Sequence, residues 1–239
     1  MPLLDVDDLH AGYGKLKIIS GVSIEVDNQE LVAVVGPNGS GKSTLLKAIF
    51  GLCEVFSGSV YFKGVDVTRL PPHKKARMGI SYLPQIGNTF ENLTVRENII
   101  LALYDKEFDL EENLEKVYSL IPEIKSLMGR KVKTLSGGER QMVALAMSLL
   151  RNPSLIMFDE PTAALAPQVA AKVMERIVSL RNELGLSVIL VEQNTRAALE
   201  VCDKVLLLVS GSVRFLGDPR ELLEEKDLVK TYLGIRGGF

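Results

Sequence analysis

One glycine-rich segment constrains the fold of this chain more strongly than any other part of its sequence. Residues 36–43 read Gly-Pro-Asn-Gly-Ser-Gly-Lys-Ser and fit the pattern G-x-x-x-x-G-K-[ST]. A continuous apolar run at residues 31–35 precedes this segment, and residues 44–50 are suited to a helix. A buried strand, a glycine-rich loop and a helix in this order form the context in which backbone N–H groups surround phosphates. The sequence therefore predicts a phosphate-binding loop between a core strand and a helix.

Strand and helix patterns alternate along most of the chain. Further apolar runs, typical of strands buried on both faces, lie at residues 155–158, 188–191 and 205–209. Residues 22–26 alternate apolar with polar side chains, as a half-buried strand does. Apolar residues recur at helical spacing between Pro167 and Gly185, and Asp218 followed by Pro219 predicts the start of another helix. The alternation predicts an α/β fold with a mainly parallel sheet.

The stretch from about residue 91 to residue 150 differs from the rest, because it shows helical patterns and no convincing strand. Capping-box spacing occurs three times, at Thr94 with Glu97, Asp109 with Glu112, and Ser136 with Glu139. We interpret this stretch as a helical subdomain inserted into an α/β core of residues 1–90 and 151–239. Together they make one domain that spans residues 1–239.

Composition excludes several classes of protein. The 28 basic and 30 acidic residues give a net charge of −2, so we expect no nucleic-acid partner. Cys53 and Cys202 are too far apart for a CxxC site and favour a reducing compartment. No apolar run approaches the ~18 residues of a membrane span, and the N-terminus lacks the basic segment of a signal peptide, so we expect a soluble, cytoplasmic chain. The basic segment around His73 is expected to be a solvated turn.

Two carboxylates follow one of the buried apolar runs. Asp159 and Glu160 come at the carboxyl end of the predicted strand, where α/β sheets place their ligands. Beside the phosphate-binding loop, Lys42 would neutralise the phosphates of a nucleotide, while Ser43 and Asp159 would hold Mg²⁺. Glu160 would act as the general base on an attacking water. The alternative is that the two carboxylates only form a turn at the end of the strand.

The segment 135–141, Leu-Ser-Gly-Gly-Glu-Arg-Gln, is the most informative one for function. In the simplest interpretation, Ser136 and Glu139 form a capping box that opens an amphipathic helix. Gly137 and Gly138, however, weaken the start of that helix and expose its N–H groups, which makes an anion site. This site is distant in sequence from the phosphate-binding loop. We therefore hypothesise that it contacts the γ-phosphate of ATP held by another copy of the chain.

With these three motifs the chain resembles the ATP-binding subunits of ABC transporters, and LSGGE at residues 135–139 is the signature of that family. The resemblance covers the whole chain. It implies a P-loop NTPase core of the ABC ATPase type, with an antiparallel β subdomain and an inserted α-helical subdomain. It also implies that two copies, identical or similar, dimerise head to tail and hold ATP and Mg²⁺ between loop and signature.

The resemblance further implies ATP hydrolysis coupled to transport at the cytoplasmic face of the cell membrane. Transmembrane permease subunits, and a solute-binding protein in the full complex, would be the partners. The nucleotide-binding residues implied in this way are Tyr13, Gly36, Pro37, Asn38, Gly39, Ser40, Gly41, Lys42, Ser43, Thr44, Ser136, Gly137, Gly138 and Glu139.

Other positions take their roles from the resemblance alone. Tyr13 is similar to the aromatic residue that stacks on adenine, although a packed or turn tyrosine is the alternative. Gln85 is similar to the glutamine that reaches Mg²⁺ and the water and links the core to the helical subdomain. Most family members have a histidine where this chain has Gln193, which can donate a hydrogen bond but cannot become cationic. We therefore expect Gln193 to position groups rather than carry protons. Ala166 replaces a family aspartate in the loop after Glu160.

Residues 191–194 (VEQN), 165–167 (LAP) and 231–234 (TYLG) are similar to one subgroup, the second ATPase of branched-chain amino-acid importers. Gln85 departs from it, because many members have glutamate there. We expect an importer for branched-chain or other hydrophobic amino acids, with a urea or amide importer as the alternative. A non-transport ABC ATPase, a regulatory or cell-envelope complex that moves no solute, and a module that has lost hydrolysis are further alternatives.

Overall fold

The computed structural model describes residues 1–103 and 110–233, and the strands in them form two sheets. The strands are β1 (Leu4–Tyr13), β2 (Leu16–Val26), β3 (Leu31–Val35), β4 (Glu54–Phe62), β5 (Val65–Asp66), β6 (Ile80–Leu83), β7 (Leu155–Asp159), β8 (Ser187–Val191), β9 (Lys204–Val209) and β10 (Ser212–Gly217). The first sheet is antiparallel and has the strand order β2-β1-β4-β5. The second has the order β10-β9-β3-β8-β7-β6 and is parallel except between β9 and β10.

Burial on both faces explains the continuous apolar runs of the sequence. In the central strand β3, Leu31, Ala33 and Val35 join the hydrophobic core on one face of the parallel sheet. Val32 and Val34 join the core on the other face, which this sheet shares with the antiparallel sheet. The four predicted runs lie in β3, β7, β8 and β9, so the expectation of a mainly parallel sheet is confirmed.

Helices cover both faces of the parallel sheet. They are α1 (Lys42–Phe50), α2 (Pro72–Arg77), α3 (Val95–Ala102), α4 (Leu110–Leu120), α5 (Ile124–Leu127), α6 (Gly137–Leu149), α7 (Pro167–Leu184), α8 (Thr195–Leu199), α9 (Pro219–Glu224) and α10 (Lys226–Leu228). A single π turn (Val229–Leu233) follows α10. Apolar residues of α1 pack between the two sheets, whereas those of α6 and α7 build the core on the opposite face. The predicted helix end at Gly185, with φ of 64°, and the predicted cap at Asp218 are confirmed.

Among the described residues, the regular elements after the loop that follows β6 and before β7 are helices and a short 3₁₀ turn (Val132–Thr134), with one isolated β-bridge between Thr94 and Lys131. Two of the predicted capping boxes form, Thr94 with Glu97 and Ser136 with Glu139. Asp109, the third predicted cap, and Gly234 lie outside the described residues. That residues 91–150 form a distinct subdomain stays a prediction. No helix in the described part of the chain is long and apolar enough to span a membrane.

The segment around His73 is not the solvated turn that we expected. It forms the helix α2, and the side chain of Lys75 in that helix is fully buried. The Lys75 ammonium donates a 2.7 Å hydrogen bond to the carbonyl oxygen of Ile49 in the last turn of α1. A cation at a helix C-terminus is favourable there, and this one fixes the far end of the helix that begins at the phosphate-binding loop. Burial lowers the pKa of Lys75 to about 8, although the negative charge of Asp66 raises it in part.

The pKa of Lys75 predicts a stability difference that depends on pH. Between pH of about 8 and 10.5 the unfolded chain holds this proton more tightly than the folded chain does. Wild-type stability should therefore rise with pH across this window, relative to Lys75→Met, by up to about 3 kcal/mol. Urea unfolding of both proteins at several pH values measures the difference. Lys74→Met, which changes an exposed lysine of the same helix, should show no such trend. If the stability difference between wild type and Lys75→Met stayed constant with pH, the lowered pKa of Lys75 would be wrong.

Candidate active site

The predicted site residues follow four neighbouring strands of the parallel sheet. β3 leads into the phosphate-binding loop, β6 is followed by Gln85, β7 by Glu160 and β8 by Gln193. The carboxyl ends of these parallel strands meet at one edge, where α/β folds bind their ligands. The cleft at this edge has a volume of about 410 Å³. It is lined by Ile18, Asn38, Gly39, Gly41, Lys42, Ser43, Thr44, Gln85, Glu160 and Gln193.

The phosphate-binding loop has the geometry of an anion cradle. A Cβ at Gly36 would lie 2.0 Å from the carbonyl oxygen of Leu208, so only glycine fits there. The ammonium of Lys42 donates to the carbonyl oxygens of Gly36 and Pro37, at 2.9 and 3.1 Å, and so lies over the loop. The buried hydroxyl of Ser40 has no hydrogen-bond partner among the described residues. A buried polar group without a partner costs about 1–3 kcal/mol, and a phosphate oxygen would supply the partner. The loop therefore fits a nucleotide phosphate.

A buried cation faces two carboxylates in the cleft. The side chain of Lys42 is 5% exposed, and burial lowers its pKa. The negative charges of Glu160 and Asp159 oppose this effect of burial and raise the same pKa. This balance leaves the ammonium beside the loop in a medium of low polarity, where its attraction for a phosphate is strong.

Ser43 and Asp159 are adjacent at the predicted metal position. The Ser43 hydroxyl donates to Asp159 Oδ1 at 2.8 Å, and the Tyr82 hydroxyl donates to Asp159 Oδ2 at 2.9 Å. The Asp159 side chain is buried at the end of β7. Hydroxyl and carboxylate oxygens are the ligands that Mg²⁺ prefers, and they lie beside the phosphate-binding loop. These residues fit a magnesium ion that also contacts the phosphates.

Two glutamines hold the carboxylate of Glu160. Its Oε2 accepts hydrogen bonds from Gln85 Nε2 at 2.9 Å and from Gln193 Nε2 at 2.6 Å. Glu160 has φ of 51°, a backbone conformation that non-glycine residues rarely adopt and that is concentrated at functional sites. The strained backbone and the two amides together determine where the carboxylate lies. The positioning role expected of Gln193 is compatible with this contact.

Sequence reasoning missed two residues that support the site. Tyr82 contacts Asp159. The only feature of the sequence that could have indicated this role is a side chain with a polar hydroxyl in a core strand, three residues before Gln85. Glu192 is 2% exposed, and its Oε1 accepts bonds from the backbone N–H and the hydroxyl of Thr162, at 3.1 and 2.8 Å. Burial raises the pKa of Glu192, although the bonds from Thr162 oppose this. This carboxylate therefore connects the loop after β7 to the end of β8.

The structure leaves Tyr13 outside the lining of the phosphate cleft. Tyr13 ends β1 in the antiparallel sheet, and its side chain is 45% exposed. An exposed aromatic ring is available for stacking on a planar base. Adenine stacking at this position stays a prediction.

The predicted signature residues, Ser136, Gly137, Gly138 and Glu139, lie at the start of α6. The Glu139 carboxylate accepts from the Ser136 N–H at 2.7 Å and pairs with Arg130 at 3.0 Å. A Cβ at Gly138 would lie 2.6 Å from Val169 Cγ1, so close packing against α7 also requires glycine. A second cleft, of about 710 Å³, borders this region and shares no lining residue with the phosphate cleft. The loop and the signature therefore line separate clefts of one chain.

Comparisons with known proteins identify the family of the chain. A family model described as ABC transporter matches residues 19–163, which include the loop, the signature and the two carboxylates Asp159 and Glu160. The probable branched-chain amino acid transport ATP-binding protein LivF of Archaeoglobus fulgidus is 49% identical over 95% of this chain and 97% of its own length. The lipopolysaccharide export system ATP-binding protein LptB of Haemophilus influenzae is 35% identical over 98% of both chains.

A solved structure gives the same result for the fold. The nucleotide-free ATP-binding cassette from an ABC transporter has a TM-score of 0.86 at 26% identity, and the match covers 99% of this chain and 100% of that one. The expected fold class, an α/β core of the ABC ATPase type with an antiparallel sheet and helices, is thereby confirmed. The chain belongs to the ABC transporter family, as an ATP-binding subunit with ATPase activity.

Proposed function

We propose that this chain is the energy-coupling ATPase of an importer for branched-chain or other hydrophobic amino acids. The observation that supports ATP hydrolysis is that Lys42, Asp159 and Glu160 lie close together at one edge of the parallel sheet. The solute is argued from similarity, since the relative named for branched-chain amino acid transport is 49% identical over nearly the whole chain. The relative named for lipopolysaccharide export is 35% identical, and export is the second candidate.

The phosphates of ATP would lie on the loop, against the N–H groups at the start of α1 and the ammonium of Lys42. Ser43, Asp159 and Gln85 would hold Mg²⁺, which when bound neutralises charge on the β- and γ-phosphate oxygens. Glu160 takes a proton from the attacking water as its oxygen forms a bond to the γ-phosphorus. The bond from that phosphorus to the bridging oxygen breaks, and ADP leaves with the electron pair.

The remaining half of the site would come from a second copy of the chain. The N-terminus of α6 offers N–H groups that suit a γ-phosphate, but its cleft is separate from the phosphate cleft. A head-to-tail dimer would bring the signature of one copy over the loop of the other. ATP would then be held between them, and its hydrolysis would loosen the dimer.

Replacing the general base tests this cycle. In Glu160→Gln the amide cannot accept the proton, so we expect ATP hydrolysis to fall about 100-fold or more while ATP is still bound. The ATP-bound dimer should therefore accumulate. Phosphate release measures the first effect, and light scattering with and without ATP measures the second. Glu200→Gln, an exposed carboxylate at the end of α8, is the control and should behave as wild type. Wild-type turnover in Glu160→Gln would remove Glu160 from the role of base.

A transmembrane permease at the cytoplasmic face of the membrane is the proposed partner. The loop after Gln85 carries two large apolar side chains, Ile86 and Phe90, which are 81% and 57% exposed. Exposed apolar side chains of this size suit a protein partner. Gln85 also donates to Glu160, so a partner bound at this loop would act on the general base through a single side chain.

Affinity capture from gently solubilised native membranes tests the partners and the solute. We expect polytopic membrane proteins, a second ATPase and a solute-binding protein to be recovered, and amino acids to bind to that last component. Ile86→Ser with Phe90→Ser should reduce the recovery of the membrane proteins. Val65→Ser, which changes an exposed apolar residue of the antiparallel sheet, is the control and should not. Recovery of lipopolysaccharide-export components would support the second candidate. Ribosomal or other soluble partners alone would overturn the transport function.

A further inference from the structure

We propose that Tyr82 is a positioning residue, whose hydroxyl fixes the Asp159 carboxylate and thereby sets the affinity of the site for Mg²⁺. The inference rests on the proposed function, because it requires Asp159 to hold the metal. Two donors hold Asp159, one on each oxygen: Ser43 at Oδ1, 2.8 Å away, and Tyr82 at Oδ2, 2.9 Å away. A carboxylate bonded in this way cannot rotate without breaking a hydrogen bond.

Three elements of the core contribute to this arrangement. Asp159 ends β7, Tyr82 lies in the neighbouring strand β6, and Ser43 lies in the first turn of α1. The Asp159 side chain is 4% exposed, so water competes little for its oxygens. The protein must therefore provide the partner of Oδ2, and Tyr82 is the side chain that does so.

The position of the Tyr82 hydroxyl is set by the packing of its ring. The ring contacts Phe50 at the end of α1, with 5.6 Å between centroids and an interplanar angle of 38°. Burial and the negative charge of Asp159 raise the pKa of Tyr82, so its hydroxyl keeps its proton and remains a donor. The hydroxyl is thus a fixed, neutral donor beside a buried charge.

Loss of this hydroxyl would leave Oδ2 buried without a donor. The carboxylate would then rotate towards other partners, and this rotation competes with metal binding. Residues that orient a metal ligand without touching the metal commonly change metal affinity 10- to 100-fold. A purely structural role for the ring predicts the opposite, because phenylalanine would then replace tyrosine without effect on the metal.

The test is Tyr82→Phe, which keeps the ring and removes only the hydroxyl. Mn²⁺ serves as a spectroscopic substitute for Mg²⁺, and its binding to the full chain with a non-hydrolysable ATP analogue is measured by electron paramagnetic resonance. We expect the Mn²⁺ dissociation constant to rise about 10-fold, and the Mg²⁺ concentration for half-maximal ATPase activity to rise in parallel. Binding of the analogue without metal should not change. Tyr61→Phe, which removes a hydroxyl from the antiparallel sheet, is the matched control.

Mn²⁺ binding by Tyr82→Phe that equals wild type would overturn the positioning role, whatever happens to turnover. Thermal unfolding without nucleotide checks that the variant is folded. Should it not fold, Phe50→Leu keeps the Tyr82 hydroxyl and loosens its ring, and we expect a smaller rise in the same constant; no rise would overturn the role. Lys42→Ala separates the two proposals: if it binds the analogue as wild type does, the proposed nucleotide site itself is wrong.

Discussion

The central strands of the second sheet, β3, β7 and β8, are buried on both faces, and the site depends on this constraint. Side chains of β3 alternate between two hydrophobic cores, so the strand can neither slide nor rotate without exposing apolar surface. β7 and β8 are also buried along their whole length. The site residues that follow these strands are therefore held in fixed positions. Lys42 and Gln193 come from distant parts of the sequence, yet line one cleft because their strands are neighbours, and Asp159 lies buried against the cleft residue Ser43.

Within that rigid frame, each charged group of the cleft is held by a neutral donor or acceptor from another element. Carbonyl oxygens of the loop accept from Lys42, two hydroxyls donate to Asp159, and two amides donate to Glu160. Such partners hold each charged group in place without cancelling its charge. The cleft can therefore receive a polyanion and a divalent cation with little rearrangement, which is the basis of electrostatic preorganisation.

Local patterns predicted the buried strands of the parallel sheet, the loop, the helix boundaries at Gly185 and Asp218 and two capping boxes, because each is encoded by residues close in sequence. The burial of Lys75 could not be predicted in this way, since its partner is the carbonyl oxygen of Ile49 in another helix. The roles of Tyr82 and Glu192 could not be predicted either. Tyr82 contacts Asp159 only when β6 and β7 pair, and Glu192 accepts its hydrogen bond from the loop after β7. The sequence alone does not indicate which group a tyrosine or lysine side chain contacts, because that partner is determined by tertiary structure.

In the proposed mechanism, Gln193 affects how the general base Glu160 is held. A histidine at this position could be neutral or cationic near neutral pH, so its hold on a carboxylate would depend on pH. The amide of Gln193 is a neutral donor at every pH, and so is that of Gln85, which binds the same oxygen of Glu160. These two donors therefore do not change with pH, but in the proposed mechanism the proton that Glu160 takes from water cannot be passed to either glutamine. In that mechanism the proton would leave Glu160 through solvent or the phosphate product.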